Sequence, residues 1–219
     1  RYLKDEAEFA LLKNGFDKAR EMGMETWIYD EYQWPSGKAF GYVLDSDPGF
    51  EATGVELITV EGEGDVNFTL PENYLGIVGA DLITDAGTVA LEFENRSVTA
   101  ENRGNYLLYV YARRYTYSPD RTEDRTDFST LRDVDLLNPR AVECFIDLTY
   151  EKYRDSLGDT FGEVAAFFTD EPNLGNRDYT GFVVWTDGLP AVFEEMHGYD
   201  ITDHMYSLYA GQSEQDRSV

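Results

Sequence analysis

Trp27-Ile28-Tyr29-Asp30-Glu31 and Phe167-Phe168-Thr169-Asp170-Glu171 share one layout: a short apolar, aromatic run that ends on an adjacent Asp-Glu pair. A run this short and this apolar is the pattern of a strand covered on both faces, as in a parallel sheet. Ahead of the first run, Phe9, Leu12, Phe16 and Ala19 recur at spacings of three and four, one face of a helix, and Gly23 stands where a helix stops. Ahead of the second, Asn138-Pro139 offers a cap followed by proline at the first helical position. Val142, Phe145, Ile146, Thr149 and Tyr153 then trace a buried face that ends near Gly158. The unit helix, turn, buried strand therefore occurs twice, and it is half of an α/β repeat.

Between these units the periodicity changes. Val55 to Val60, Val66 to Leu70, Leu75 to Ile83, Val89 to Phe93 and Tyr106 to Tyr115 read as strands, separated by turn signals such as Asp85-Ala86-Gly87 and Arg103-Gly104-Asn105. No helix intervenes, so a small antiparallel module is expected, although Leu107 to Ala112 could equally serve the main sheet. The fold class that follows is α/β: a partial (β/α) TIM-type barrel with an inserted small antiparallel β module. Its expected parts are residues 1–50, the first part of the barrel; 51–117, the module; and 118–219, the continuation of the barrel. A complete barrel takes about 250 residues. The remaining staves are therefore expected from the rest of a parent polypeptide.

Composition narrows the partners. Asp and Glu number 43 against 18 Lys and Arg, a formal net charge of -25. Such a chain repels phosphate backbones and anionic lipid, so neither nucleic acid nor a membrane surface is an expected partner. Cys144 is the single cysteine, which excludes an internal disulfide and a thiolate metal site. His197 and His204 lie seven apart and match no zinc pattern. There is no nucleophile elbow and no phosphate-cradling loop. No signal peptide is visible, but the chain opens at Arg1 within what reads as helix, so a leader upstream stays open.

In a (β/α) barrel, chemistry gathers at the carboxyl ends of the strands, and successive strand side chains point to opposite sides. One carboxylate of each Asp-Glu pair should then face the site while the other supports it. Two such acids are the equipment of glycoside hydrolysis: one protonates the leaving oxygen, the other activates water or attacks the sugar carbon. The competing explanation is composition, since adjacent acids such as Asp5-Glu6 also occur on a helix. Trp34-Pro35-Ser36-Gly37 adds a large ring on a stiffened loop, with Ser36 and Gly37 permitting close backbone approach to a ligand. Pro172 is expected to force Glu171 into extended geometry. Phe167 and Phe168 could supply the apolar surroundings that a general acid needs. Trp185 is either a second sugar platform or a core aromatic.

Tyr29-Asp30-Glu31-Tyr32-Gln33-Trp34-Pro35-Ser36-Gly37, Asp135-Leu136-Leu137-Asn138-Pro139-Arg140-Ala141-Val142 and Phe168-Thr169-Asp170-Glu171-Pro172 resemble, in order, signature motifs of family 106 glycoside hydrolases, the α-L-rhamnosidase type. Trp185-Thr186-Asp187 and Gly198-Tyr199-Asp200 continue the resemblance. It implies a secreted or periplasmic (β/α)-barrel enzyme that removes a terminal sugar from a glycan by inversion, with two glutamates and a calcium ion that helps hold the sugar. Glu171 matches the strand-end glutamate of the Phe168–Pro172 motif and is the first catalytic candidate. Glu31 matches that of the Tyr29–Gly37 motif and is the second, as its partner or as a sugar and metal ligand, with the second catalytic glutamate otherwise expected from the missing part of the barrel. Trp34 matches the sugar-site tryptophan, and Asp30, Asp170, Ser36 and Trp185 are further substrate-binding candidates, with Asp30 and Asp170 as support or calcium ligands. Tyr150 departs from the histidine common at that position in the family, and Tyr32-Gln33 from its "D-G", which leaves the sugar open. The alternatives are a carbohydrate-binding protein without catalysis and an inactive fragment of a larger hydrolase.

Overall fold

The computed structural model describes residues 3–30, 35–116, 132–174 and 182–210. In chain order the helices are α1 (Glu6–Glu21), α2 (Tyr42–Ser46), α3 (Pro139–Ile146), α4 (Lys152–Leu157), α5 (Leu189–His197) and α6 (Met205–Ala210). The strands are β1 (Trp27–Tyr29), β2 (Thr53–Glu63), β3 (Val66–Thr69), β4 (Gly76–Thr84), β5 (Gly87–Ala90), β6 (Phe93–Glu94), β7 (Ser97–Ala100), β8 (Asn105–Tyr115), β9 (Ala166–Phe168) and β10 (Phe182–Trp185). The fold is mixed α/β, with helices and several sheets. Two compact units divide it, Arg1–Ala52 with Tyr117–Arg177, and Thr53–Thr116 with Asp178–Val219.

The first unit is built on β1 and β9, which pair in parallel with Tyr29 opposite Phe168. α1 starts where the Asp5 carboxylate accepts from the Ala7 N–H, satisfying one of the donors a helix start leaves open. Its Phe9 is buried, with Leu12 and Phe16 packed beside it. Asn138 caps α3 in the same way through the Arg140 N–H. Between α3 and α4 the backbone widens into a π turn, Asp147–Glu151, where the Thr149 hydroxyl donates to the Phe145 carbonyl. Phe9, Ile28, Val43, Phe145, Tyr153 and Leu157 share the core. The region after Gly37, irregular in the sequence, folds as two 3-10 turns around the short α2, whose Tyr42, Val43 and Leu44 are buried.

The second unit has a five-stranded sheet in the order β10-β2-β8-β4-β5 and a three-stranded sheet in the order β3-β7-β6. β8 is central, antiparallel to both β2 and β4. It therefore belongs to the antiparallel sheet, which decides the alternative the sequence left open. Its apolar residues alternate: Leu108, Val110 and Ala112 enter the core shared with Val66 and Val98 of the smaller sheet. Tyr109 and Tyr111 face the opposite way, toward Met205 and Trp185. β7 had no strand signature in the Ser97-Val98-Thr99-Ala100 sequence beyond a single large apolar residue, Val98, which is fully buried. Gly62 lies opposite Tyr106, and a Cβ there would meet the phenol ring at 2.4 Å, so the ring lies over bare backbone.

The observed units differ from the expected three-part division. Residues 118–219 do not stay together, because β10 adds to the outer edge of β2, with Trp185 opposite Thr53. A four-residue apolar strand reads alike in either setting, and only the partner edge assigns it.

Candidate functional site

The first unit brings the end of β1, at Asp30, beside the end of β9. The parallel ladder runs one residue past β1, where the Asp30 N–H donates to the Phe168 carbonyl. Side chains alternate along β1: Ile28 enters the core, Trp27 and Tyr29 are exposed, and Asp30 turns back to the buried side with 0% exposure. Three hydroxyls meet its carboxylate. Ser36 Oγ donates to Oδ1 at 2.7 Å, and Tyr150 and Thr169 donate to Oδ2 at 2.5 and 2.6 Å. A carboxylate taken out of water is tolerated when its lone pairs are filled in this way, and such charge-assisted bonds are roughly twice as strong as neutral ones. Burial and the bond to Asp30 push the Tyr150 phenol up to about 12, partly offset by Thr169, so it stays a donor at neutral pH. Tyr150 sits in the π turn, a form of local widening frequent at functional sites.

Asp30 also fixes the loop that follows it. Ser36 Oγ, while donating to Asp30, accepts from the Asp170 N–H at 2.9 Å. The Ser36 N–H donates to the Asp170 carbonyl at 3.0 Å. Gly37 has φ +123, and a Cβ on it would come within 2.9 Å of Leu136. Next to it the Lys38 ammonium is buried against Asp133 at 2.9 Å. The chain from Pro35 to Lys38 is thus tied to the end of β9 on one side and to Asp133 on the other.

The acids after β9 are arranged differently from those after β1. Asp170 is half-buried, and Tyr29 on the exposed face of the sheet donates to its Oδ2 at 3.1 Å. Glu171 is exposed, and its φ is +42. This corrects the expectation of extended geometry before Pro172. The proline disfavours the helical region for its neighbour, and here the backbone escapes to the left-handed side, a conformation that costs a non-glycine residue about 1–2 kcal/mol. Such strain collects at functional sites. The two phenylalanines do not act alike either. Phe167 is packed into the core, 4.5 Å from the Tyr150 ring, while Phe168 is exposed and rests on Tyr29 at 5.4 Å.

An open cleft of about 440 Å³ adjoins these strand ends. Asp30, Ser36, Tyr150 and Thr169 contribute its polar lining, and Leu136, Val142, Phe145 and Ile146 its hydrocarbon wall. Val142 and Ile146, expected on the buried face of α3, instead line this cleft, while Ala141 and Phe145 are buried. Thr169 and Pro172, which bracket Asp170 and Glu171 in the chain, are both at its edge.

Of the residues singled out in the sequence, the structure unites Asp30, Ser36 and Asp170 in one hydrogen-bonded cluster with Glu171 next in the chain. Glu31 and Trp34 lie outside the described residues. Trp185 is corrected: it is 4% exposed in the core of the second unit, against Val55, Tyr111, Ile201 and Met205, so its ring has no face for a sugar. Both Asp30 oxygens accept O–H donors, and among the described residues no three His, Cys, Asp or Glu side chains converge on a metal position. Tyr150 and Thr169 were not singled out as site residues. The one sequence signal at Tyr150 was its departure from the family pattern. Among the described residues no helix is long and apolar enough to cross a membrane. Comparison with protein-family models, curated proteins and solved structures gave no match.

Proposed function

We propose that this chain is part of a glycoside hydrolase, similar to the α-L-rhamnosidase type, that cleaves a terminal sugar from a glycan with strand-end carboxylates. The observation that carries this reading is the parallel pairing of β1 with β9, which sets the carboxyl ends of the two strands, at Asp30 and Thr169, next to each other on one cleft. Active sites of (β/α) barrels lie at the carboxyl ends of such strands. A parallel pair is ordinarily covered on both faces. Here Trp27, Tyr29 and Phe168 stay exposed on the face away from the helices, which suits the inner wall of a barrel whose other staves belong to the parent polypeptide.

In this reading Glu171 and Glu31 are the reacting pair. One donates a proton to the glycosidic oxygen as the bond to the sugar carbon breaks. The other takes a proton from the water that attacks that carbon from the opposite face, so configuration inverts. Of the tasks the sequence left to Asp30, its occupied oxygens favour support: it positions Ser36, which in turn holds the Asp170 N–H. Asp170 and Trp34 contact the sugar. No step is assigned to calcium. A secreted or periplasmic location follows from the resemblance alone.

The test is hydrolysis of a panel of 4-nitrophenyl glycosides, α-L-rhamnoside included, by the parent polypeptide and by its Glu171→Gln variant. Turnover of one glycoside that falls at least about a hundredfold in the variant supports the assignment. Unchanged turnover removes Glu171 from the mechanism, and sugar binding without turnover makes the protein a carbohydrate binder.

A further inference from the structure

The polar and apolar parts of the cleft are not equally available to a ligand. Asp30 receives Ser36, Tyr150 and Thr169, and the Tyr150 and Thr169 hydroxyls also lie 3.1 Å from each other. These polar atoms are engaged with one another. A sugar ring whose hydroxyls displaced them would have to break charge-assisted bonds around a buried carboxylate. Among the described residues, what remains for a ligand is the hydrocarbon wall of Leu136, Val142, Phe145 and Ile146. Ile146 is 41% exposed in the described structure, a large apolar side chain on the cleft rim that would gain by being covered.

Charge limits the occupant further. The chain carries a net charge of -25, and the carboxylate at the cleft floor is Asp30, so an anionic group is repelled. Volume sets the scale: about 440 Å³ falls in the range of small-molecule pockets, far more than a methyl group needs.

We infer that this cleft binds a neutral, ring-shaped, hydrocarbon-rich group, whatever reaction the strand-end acids carry out. An aromatic ring stacked along Val142 and Ile146 removes apolar area from water without asking for any hydrogen bond that Asp30 already holds.

The experiment uses 2-naphthol, neutral at pH 7, titrated against the whole chain and followed by its fluorescence. Saturable one-to-one binding is expected, weakened by about tenfold or more in Ile146→Asp, the effect of losing roughly 1.4 kcal/mol of apolar contact. Ile146 is partly exposed, so the variant should fold, and circular dichroism checks it. Leu11→Asp on α1, at a position 71% exposed, is the control and should bind like the wild type. No saturable binding, equal weakening in both variants, or displacement of the naphthol by methyl α-L-rhamnopyranoside each overturns the inference. None of these outcomes depends on turnover, so failure here leaves the hydrolase reading to its own assay.

Discussion

The strand ends of β1 and β9 and the central strand β8 are stabilised by opposite means. β8 is eleven residues long, hydrogen-bonded on both sides, and buries Leu108, Val110 and Ala112 on one face and Tyr111 on the other. β1 and β9 have three residues each, and beyond their last residues the order is carried by polar side chains: Asp30 with three hydroxyls, Ser36 clipped to Asp170, Lys38 paired with Asp133. A long antiparallel ladder with two apolar faces tolerates the loss of any one polar contact. A short parallel pair ending in a buried carboxylate does not, because each partner removed leaves a charge or a donor stranded in the interior.

That contrast can be broken by measurement. The largest effect is expected for Lys38→Ala, which leaves the buried Asp133 without its ammonium and should cost about 3–5 kcal/mol in urea unfolding. A cost under about 1 kcal/mol would mean that water reaches the pair and that the polar anchoring is dispensable. Leu108→Ala, at a fully buried position in the β unit, should cost about 3 kcal/mol through lost burial and a cavity. Near-neutrality there would show that the core shared by the two sheets is loosely packed.

Next comes alkaline pH. The Tyr150 phenol has its folded value raised to about 12 from an ordinary 10, so the folded state holds the proton more tightly than the unfolded one. The stability this contributes is complete below pH 10 and is lost as pH rises through about 12. Tyr150→Phe should therefore show a shallower loss of stability between these limits, read as thermal midpoint against pH. Burial and the Asp81 carboxylate also hold the Tyr111 phenol well above its ordinary range, so a part of the slope survives in the variant. The smallest effect belongs to Lys18→Ala: its pair with Glu21 on α1 is exposed on both sides, and removal should change stability by no more than about 0.5 kcal/mol.

Much of the α/β unit was legible because its signals are local. Asn138 marks a helix start, Gly23 and Gly158 follow helix ends, and each of these is a chemical requirement of the few residues around it, whereas Asp5, which read as part of a helix, turns out to cap one. The β strands were legible where large apolar residues alternate, as in β8, and not where Val98 alone carries the burial of β7. The candidate site was half legible. An Asp-Glu pair at a strand end can be read from the residues, but which acid turns inward is fixed by register, and Tyr150 reaches Asp30 across 120 residues of chain. Glu171 shows the limit of a local rule: Pro172 excludes one backbone region without dictating which of the others is taken.

By itself the sequence determined the longer helices and strands, the cap at Asn138 and the presence of two acid-bearing strand ends, since hydrophobic period and capping chemistry act within a few residues. Only the tertiary structure decided that β1 and β9 are neighbours, that β10 and Trp185 belong to the β unit, and that Asp30 is a buried anchor while Asp170 stays half-buried. Those outcomes depend on which edges and faces meet, and hydrogen-bonded edges and apolar faces are interchangeable until long-range packing chooses among them.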